Sequence, residues 1–262
     1  MKTLVIANQK GGSGKSVFGT QLAYCLAELA NKRVAYVDTD EQSSSSYTLR
    51  ACDTGYKAHA LFGATPVTVK NRSPMALFSA DKEPLRLVEK MDDSIRLDAH
   101  KNVVLPQIAL NLRARLGELT PHFDWCVVDT PGSNSKIPNA ALTAADYVIV
   151  PCVIDAYSLP VANDMLARIR AVQQHLNQKL QLVGILPMKF KANDREMVGH
   201  LKQLLTFQKD TVLPAKIGDR SAFPYASDHG IPVWKVDRSA AREAAKELRH
   251  AFDVIGAKIG GF

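Results

Sequence analysis

Short apolar runs rich in β-branched residues recur along this chain, and segments with helical spacing of apolar residues separate them. Such runs are typical of strands buried on both faces of a parallel sheet. The alternation therefore predicts an α/β fold with a doubly wound, mostly parallel sheet flanked by helices, in which ligands bind beyond the carboxyl ends of the strands. The predicted strands are residues 4–7, 34–37, 125–128, 147–150 and 180–186.

Two of the intervening segments show the helical spacing clearly. The first has an apolar stripe of Phe18, Leu22, Leu26 and Leu29, and the second has one of Leu159, Met165, Leu166, Ile169 and Val172. Ser158, just before the second stripe, is a plausible N-cap. Both segments are predicted to be helices that cover the sheet.

Between about residues 43 and 100 this pattern weakens. A run of four serines begins at Ser43, and turn-prone segments follow at residues 63–66 and 71–74. We expect irregular connections with short helices here. No low-complexity linker splits the chain, so residues 1–262 are predicted to form a single domain.

Composition narrows the class of protein. Thirty-three basic and twenty-six acidic side chains leave a net charge of +7, which favours polyanionic partners. The four cysteines form no C-x-x-C pair, so neither metal-ligand spacing nor a disulfide framework is indicated. No signal-peptide core or membrane-spanning apolar run is present, and we expect a cytoplasmic protein.

The first strand leads directly into a glycine-rich segment from Lys10 to Ser16. Glycines there let the backbone turn its N–H groups inward at a helix N-terminus, where they bind phosphate. Lys15 is placed to reach the terminal phosphates, and the hydroxyl of Ser16 to bind Mg²⁺. The sequence thus predicts an ATP and Mg²⁺ site that involves Lys10, Gly11, Gly12, Ser13, Gly14, Lys15, Ser16 and Val17.

This segment departs from the usual phosphate loop at one position. Gln9 stands where a glycine is usual, and an additional cation, Lys10, follows it. Lys10 could reach the phosphates of a facing subunit and supply charge in trans, as arginine fingers do. The alternative is that Lys10 is a solvated loop residue.

Three aspartates end predicted strands at the same edge of the sheet. Asp38 and Asp40 follow the second strand, and Asp129 ends the third. Phosphoryl transfer requires a group that orients the attacking water and ligands for the metal, so Asp40 is our candidate for the first role. Asp38 is expected to support the metal shell or Lys10, and Asp129 to bind Mg²⁺ through water. The alternative for the first two is that they cap backbone N–H groups in a turn.

The loop after Asp129 is a candidate γ-phosphate sensor. Thr130-Pro131-Gly132-Ser133 could move on hydrolysis, as switch loops do. An ordinary turn is the alternative.

Together these segments resemble the ParA/MinD family of deviant Walker-A ATPases, in particular its plasmid-partition ParA branch. Residues 34–42 resemble the family's second motif, with Glu41 in place of its proline, and Asp129-Thr130-Pro131 resembles its Walker B segment. Residues 213–221 and 230–233 resemble its segment near the adenine and the DNA-binding surface. On this resemblance Met188 and Pro214 are expected to contact the nucleotide, although Met188 stands where asparagine often reads the base.

The resemblance implies a cycle of assembly and release. Family members form ATP-dependent homodimers with Lys10 as the signature lysine, bind double-stranded DNA without sequence specificity, and hydrolyse ATP slowly until a ParB-like adaptor protein stimulates them. The expected role is positioning of plasmid or chromosomal cargo, with the ATP-bound protein on the nucleoid. Longer members carry an N-terminal helix-turn-helix domain before the phosphate loop; here the loop begins ten residues in, so sequence-specific autorepression is not expected.

The last predicted helix, from about Ser239, offers a basic face. Ala241, Ala244, Leu248, Phe252 and Ile255 form its core stripe. Another face carries basic residues that could meet phosphates without sequence specificity. The candidate DNA contacts are Arg220, Lys235, Arg238, Arg242, Lys246 and Arg249. The alternative is a solvated face paired at i,i+4 with Glu243 and Glu247.

A MinD-like membrane-cycling ATPase is the alternative function, because its C-terminal amphipathic helix binds lipid. The terminal segment from Ala257 to Phe262 contains two glycines and little apolar area, which argues against insertion, and no membrane partner is expected. A third possibility, a metabolic P-loop enzyme such as a small-molecule kinase, would require an acceptor site that the sequence does not identify.

Overall fold

A computed structural model describes residues 1–70, 73–91, 96–97, 103–133 and 135–262. Nine strands are described: β1 (Lys2–Ile6), β2 (Val34–Asp38), β3 (Asp53–Lys57), β4 (Met75–Ser79), β5 (Arg96–Leu97), β6 (Val103–Val104), β7 (Trp125–Asp129), β8 (Tyr147–Val153) and β9 (Gln181–Met188). Seven of them form one parallel sheet in the order β3-β4-β2-β7-β1-β8-β9. β5 and β6 form a separate antiparallel pair.

Helices cover both faces of the large sheet. They are α1 (Lys15–Tyr24), α2 (Ser44–Thr48), α3 (Lys82–Lys90), α4 (Gln107–Leu119), α5 (Lys136–Ala144), α6 (Ser158–His175), α7 (Arg195–Gln208), α8 (Ala222–His229) and α9 (Ser239–Lys258). One core lies between the sheet and α1, α8 and α9, and the other between the sheet and α4, α5 and α6. The predicted doubly wound α/β fold is confirmed.

The register of the central strands brings acidic residues to one edge. Asp38 and Asp129 are paired at the ends of β2 and β7, and Ile6 at the end of β1 is paired with Asp129 on its other side. Since all three strands are parallel, the loops that follow them leave from the same edge of the sheet.

All five strands predicted from the apolar runs are present as β1, β2, β7, β8 and β9, but β3 and β4 were not predicted. Both lie between residues 43 and 100, where irregular connections with short helices were expected. β4 is a wholly buried strand of only five residues, and β3 is a sheet-edge strand interrupted by Gly55 at φ 80°. Neither strand carries the long β-branched run that marks the central strands.

Two helix details were also predicted wrongly. Leu29 is 42% exposed rather than part of the buried stripe, because α1 continues as a π-helical turn over Cys25–Leu29 that breaks the 3.6-residue spacing. Ser158 is the first residue of α6 and not its cap; its hydroxyl exchanges hydrogen bonds with the backbone of Asp155.

Candidate functional site

The glycine-rich segment between β1 and α1 forms one wall of a cleft of about 580 Å³. Gly12 and Gly14 have φ values of 70° and 86°, in the left-handed region that glycine tolerates, and Lys15 begins α1. A Cβ on Gly14 would lie 3.0 Å from Cε of Met188 on the opposite wall. The loop therefore turns directly onto a helix N-terminus, the arrangement that binds phosphate. Predicted nucleotide contacts that line the cleft are Gly11, Gly12, Ser13, Gly14, Lys15, Ser16, Val17 and Met188.

Lys15 is the central cation of this cleft. Its side chain is buried, and Nζ lies 3.3 Å from the carbonyl oxygen of Lys10. Burial lowers the pKa of Lys15, while the negative charges of Asp129 and Asp40 oppose that shift. The two carboxylates favour the charged form of Lys15, and the negative charge of a bound phosphate would favour it further.

Asp38 and Asp129, paired at the ends of β2 and β7, are both fully buried. Burial raises the pKa of each carboxyl, and the negative charge of Asp129 adds to the shift at Asp38. For Asp129, a hydrogen bond from Ser45 and the proximity of Ser16 and Lys15 favour the ionised form. Ionising both buried carboxyls is therefore costly unless a cation or hydrogen-bond donors compensate their charge.

The carboxylates of Asp38 and Asp129 differ in the hydrogen bonds that they accept. Asp38 accepts hydrogen bonds from Asp40 N at 3.1 Å and from Ser46 N and Oγ, both at 2.7 Å. Asp129 accepts one from Ser45 Oγ at 2.7 Å through Oδ2, while its buried Oδ1 has no hydrogen-bond partner in the described part of the chain. Asp38 thus accepts hydrogen bonds through both oxygens, and Asp129 through one only.

Oδ1 of Asp129, which has no hydrogen-bond partner among the described residues, is a candidate ligand for a magnesium ion. Asp129 and the Ser16 hydroxyl are oxygen donors beside Lys15, which suits Mg²⁺ held by few protein ligands together with phosphate and water. The described residues contain no group of three His, Cys, Asp or Glu side chains that could hold a metal. Ser16 and Asp129 would hold the ion; Asp38, also predicted as a ligand, is engaged with Ser46 and Asp40.

Asp40, unlike Asp38, lines the cleft. Its Oδ1 accepts a hydrogen bond from Gln42 N at 3.0 Å, which shapes the turn between β2 and α2. Asp40 therefore combines the predicted turn-capping contact with a position beside the phosphate loop.

Lys10 has a partner that the sequence did not reveal. Its ammonium forms an ion pair with Asp155, in the loop between β8 and α6, and lies 5.7 Å from the ring centroid of Tyr157. Its backbone N–H donates to Asn8 Oδ1 at 3.0 Å. Lys10 is thus neither a free solvated residue nor in contact with Asp38. Asp155 belongs to no recognisable sequence motif, so its contact with Lys10 could not be predicted.

The loop after Asp129 contacts the phosphate loop directly. A Cβ on Gly132 would lie 3.1 Å from both Gly11 N and Lys15 Nζ. On its far side, Arg168 of α6 donates to the carbonyl oxygens of Ser133 at 3.4 Å and Ser135 at 3.1 Å. The loop therefore lies between the phosphate loop and α6.

Two predicted site residues, Pro214 and Arg220, occupy unexpected positions relative to the cleft. Pro214 lies in a separate groove with Pro187 and His250, because the chain enters the cleft wall only from Ile217 onward. Arg220, predicted to contact DNA, lines the cleft and donates to Glu247 Oε1 at 2.6 Å. The residues of this wall are Lys189, Ile217, Gly218, Asp219, Arg220, Phe223 and Pro224.

Helix α9 carries the predicted basic face. Its core stripe is buried as expected, and Arg242, Lys246 and Arg249 are exposed and line one groove. Within the described chain none of these three has an ion-pair partner, so the predicted i,i+4 pairing does not occur. Two other candidates are engaged elsewhere: Lys235 pairs with Glu28 at 2.7 Å, and Arg238 stacks 3.7 Å from the Tyr225 ring centroid.

The C-terminal segment packs back on the protein. Phe262 stacks on Phe252 with ring centroids 4.2 Å apart and meets Trp125 edge-on at 5.4 Å. Ile259 is buried. The apolar side chains that a membrane-binding tail would insert are therefore used in the core. In the described parts of the chain, no helix combines the length and apolar character needed to cross a membrane.

Comparisons with known proteins agree with this geometry. Residues 1–182 match the AAA domain family. The chain is similar to Protein IncC of Escherichia coli, with 36% identity over 264 residues covering 99% of this chain and 70% of that protein. It is 28% identical to the sporulation initiation inhibitor protein Soj of Bacillus subtilis (strain 168), over 94% of this chain and 96% of Soj.

A solved structure shows the same fold. An ATP complex of a McdA variant from Cyanothece superposes with a TM-score of 0.79 at 20% identity, covering 100% of this chain and 97% of that one. The sequence relatives and the family match span most of the chain. With its phosphate loop, its second lysine and its three strand-end aspartates, the chain belongs to the ParA/MinD family of P-loop ATPases.

Proposed function

We propose that this chain is a ParA-type partition ATPase that binds ATP and Mg²⁺, dimerises, binds DNA without sequence specificity and positions plasmid or chromosomal cargo. Residues 1–262 act as one P-loop ATPase domain. The observation that carries the proposal is that Lys15 and Ser16 of the phosphate loop line one cleft with Asp40, and that the buried carboxylate of Asp129 interacts with both Lys15 and Ser16. Curated relatives support it, since one of them is named as a chromosome-partitioning ATPase Soj, from Treponema pallidum (strain Nichols).

Each residue of the cleft has a task in phosphoryl transfer. The backbone N–H groups of the glycine loop and Lys15 bind the phosphates, and bound Mg²⁺ neutralises charge that develops on them. Ser16 and Asp129 would bind the Mg²⁺ ion. Asp40, which faces the cleft, orients the attacking water, while Asp38 fixes the turn that carries Asp40 through its contact with Asp40 N. Gly132 contacts the loop closely enough to sense the γ-phosphate.

Lys10 connects the cleft to dimerisation. We propose that it leaves Asp155 and reaches the phosphates of a facing subunit, so that the dimer is stable only with ATP bound. Hydrolysis removes the γ-phosphate and returns Lys10 to Asp155. A ParB-like adaptor protein would stimulate this otherwise slow step.

The DNA contacts are assigned to Arg242, Lys246 and Arg249. These side chains share one groove with a single acid, Asp253, and none of the three forms an ion pair with a described acidic residue. Phosphate contacts of this kind are independent of sequence, which suits a protein that travels over bulk DNA on the nucleoid. The membrane-cycling alternative is disfavoured by the packing of Phe262 against Trp125 and Phe252.

The mass of the protein in solution tests the ATP switch. We expect light scattering to report a monomer without nucleotide or with ADP and a dimer with ATP and Mg²⁺. Lys15→Ala should bind no nucleotide and remain a monomer throughout. A wild-type protein whose mass is independent of nucleotide would refute the proposed switch.

A further inference from the structure

Two consecutive serines hold the two buried acids of the cleft. Ser45 donates to Asp129, and Ser46 donates to Asp38, each at 2.7 Å. Both serines belong to α2, which follows the turn that carries Asp40. Neither lines the cleft, so phosphate contact does not explain them.

Ser45 is itself held in place by a buried tyrosine. The hydroxyl oxygens of Tyr36 and Ser45 lie 2.9 Å apart, and both side chains are fully buried. An ionised carboxylate only accepts hydrogen bonds, so Ser45 gives its single proton to Asp129. Tyr36, whose hydroxyl also lies near Asp129, then donates to Ser45, and one line of hydrogen bonds runs from Tyr36 through Ser45 to Asp129.

Only one of the two carboxylate oxygens of Asp129 takes part in this chain of hydrogen bonds. Oδ2 accepts from Ser45, whereas Oδ1 is buried without a hydrogen-bond partner among the described residues. A buried acceptor left unpaired costs about 1–3 kcal/mol, so a native site normally provides a partner for it. Two groups that favour the ionised form of Asp129, Ser16 and Lys15, belong to the phosphate loop.

We infer that Ser45, oriented by Tyr36, is a positioning residue for magnesium: it fixes the rotation of the Asp129 carboxylate so that Oδ1 is held ready for the ion's ligand shell. The inference rests on the proposed function, because Mg²⁺ enters the cleft with ATP. Groups that orient metal-binding carboxylates typically change metal affinity by about 10–100-fold when they are removed. Tyr36 acts through Ser45, so its removal should lower magnesium affinity by a smaller factor.

The test separates magnesium from nucleotide. Affinity for a fluorescent ATP analogue is measured by equilibrium titration with excess Mg²⁺ and again with EDTA, and the ratio gives the gain due to the metal. For Ser45→Ala we expect this gain to fall by about tenfold, with affinity in EDTA unchanged within about twofold. Tyr36→Phe, which keeps the ring in the core, should lower the gain by a smaller factor.

Tyr47→Phe is the matched control. Tyr47 lies on the same helix as Ser45, carries the same hydroxyl as Tyr36 and is 57% exposed, and its substitution should leave the gain unchanged. Equal weakening by Ser45→Ala with and without Mg²⁺ would reveal a purely structural role and overturn the inference, as would an unchanged gain in both test variants. Failure of the wild-type protein to bind the analogue at all would instead overturn the proposed function and the inference with it.

Discussion

The ammonium of Lys10, the first residue of the glycine-rich segment, and the carboxylate of Asp155 form an ion pair. Both side chains are about one-third exposed, at 34% and 35%, so water partly screens the pair. Asp155 also accepts a hydrogen bond from Tyr157 N at 2.9 Å through its other oxygen, which fixes the loop before α6. Lys10 must therefore give up a definite contact before it can serve a second subunit.

Removing that contact should favour the dimer. Asp155→Asn keeps an oxygen for Tyr157 N but removes the charge, so Lys10 is released at no cost. Exposed ion pairs contribute about 0.2–1 kcal/mol each, and one is lost in each of the two subunits, so we expect the ATP-dependent dimerisation constant to rise by roughly 2–30-fold. Sedimentation equilibrium measures it, with Asp164→Asn, an exposed acid on α6, as the control. Weaker dimerisation in Asp155→Asn would show that Lys10 acts while paired.

Asp40→Ala should separate ATP binding from hydrolysis. The phosphate loop is intact in this variant, so ATP still binds, but without a group to orient water the dimer is trapped. Turnover and mass are measured together. Asp53→Ala is a close control, because Asp53 accepts a hydrogen bond from the N–H two residues on, as Asp40 does, but outside the cleft. Retained turnover in Asp40→Ala would remove Asp40 from the mechanism.

The buried acids should make the nucleotide-free protein more stable in mild acid. The folded-state pKa of Asp129 is raised to about 6, above its ordinary value of 3.8. A raised pKa means that the folded state binds the proton more tightly, so this stabilising contribution is present at low pH and is lost as pH rises from about 4 to 6. Asp129→Asn, which cannot ionise, should therefore be more stable than wild type at pH 8, by roughly 1–3 kcal/mol, and close to it at pH 4.

Urea denaturation without nucleotide or metal at the two pH values measures this difference. The same variant should lose its Mg²⁺-dependent gain in ATP affinity, because the substituted side chain presents a neutral amide in place of a carboxylate. If Asp129→Asn were less stable than wild type at pH 8, the view that the buried, ionised carboxylate of Asp129 destabilises the nucleotide-free protein would be wrong.

The basic face predicts a defined salt dependence. Each phosphate contact adds about 0.9 to the slope of log affinity against log salt concentration. Arg242→Gln, Lys246→Gln and Arg249→Gln should each lower the slope for random duplex DNA by about that amount, and Arg170→Gln, exposed on α6, should not. A slope that stays constant in all three variants would place the DNA elsewhere.

Much of this architecture was accessible from the sequence because its signals are local. The central strands carry continuous apolar runs, and the phosphate loop has its glycines and lysine in fixed order after the first of them. The strand-end position of Asp38 and Asp129 followed from the parallel sheet alone. Their shared register brings them together as expected.

The contacts that escaped prediction join residues far apart in sequence. Asp155 pairs with Lys10 across 145 residues, and Ser45 reaches Asp129 across 84. The serine run looked like a connection because serine favours turns, yet the hydroxyls of its last two members bind the two buried acids of the site. Arg220 was placed on the DNA face because charge alone does not show that Glu247 holds it at the cleft.

Binding to random-sequence duplex DNA with ATP, with ADP and without nucleotide, at two salt concentrations and with liposomes as the control, tests the central claim most directly. We expect DNA binding that requires ATP and weakens steeply with salt, and no binding to the liposomes. Lipid binding without DNA binding, or DNA binding that is indifferent to nucleotide, would contradict it.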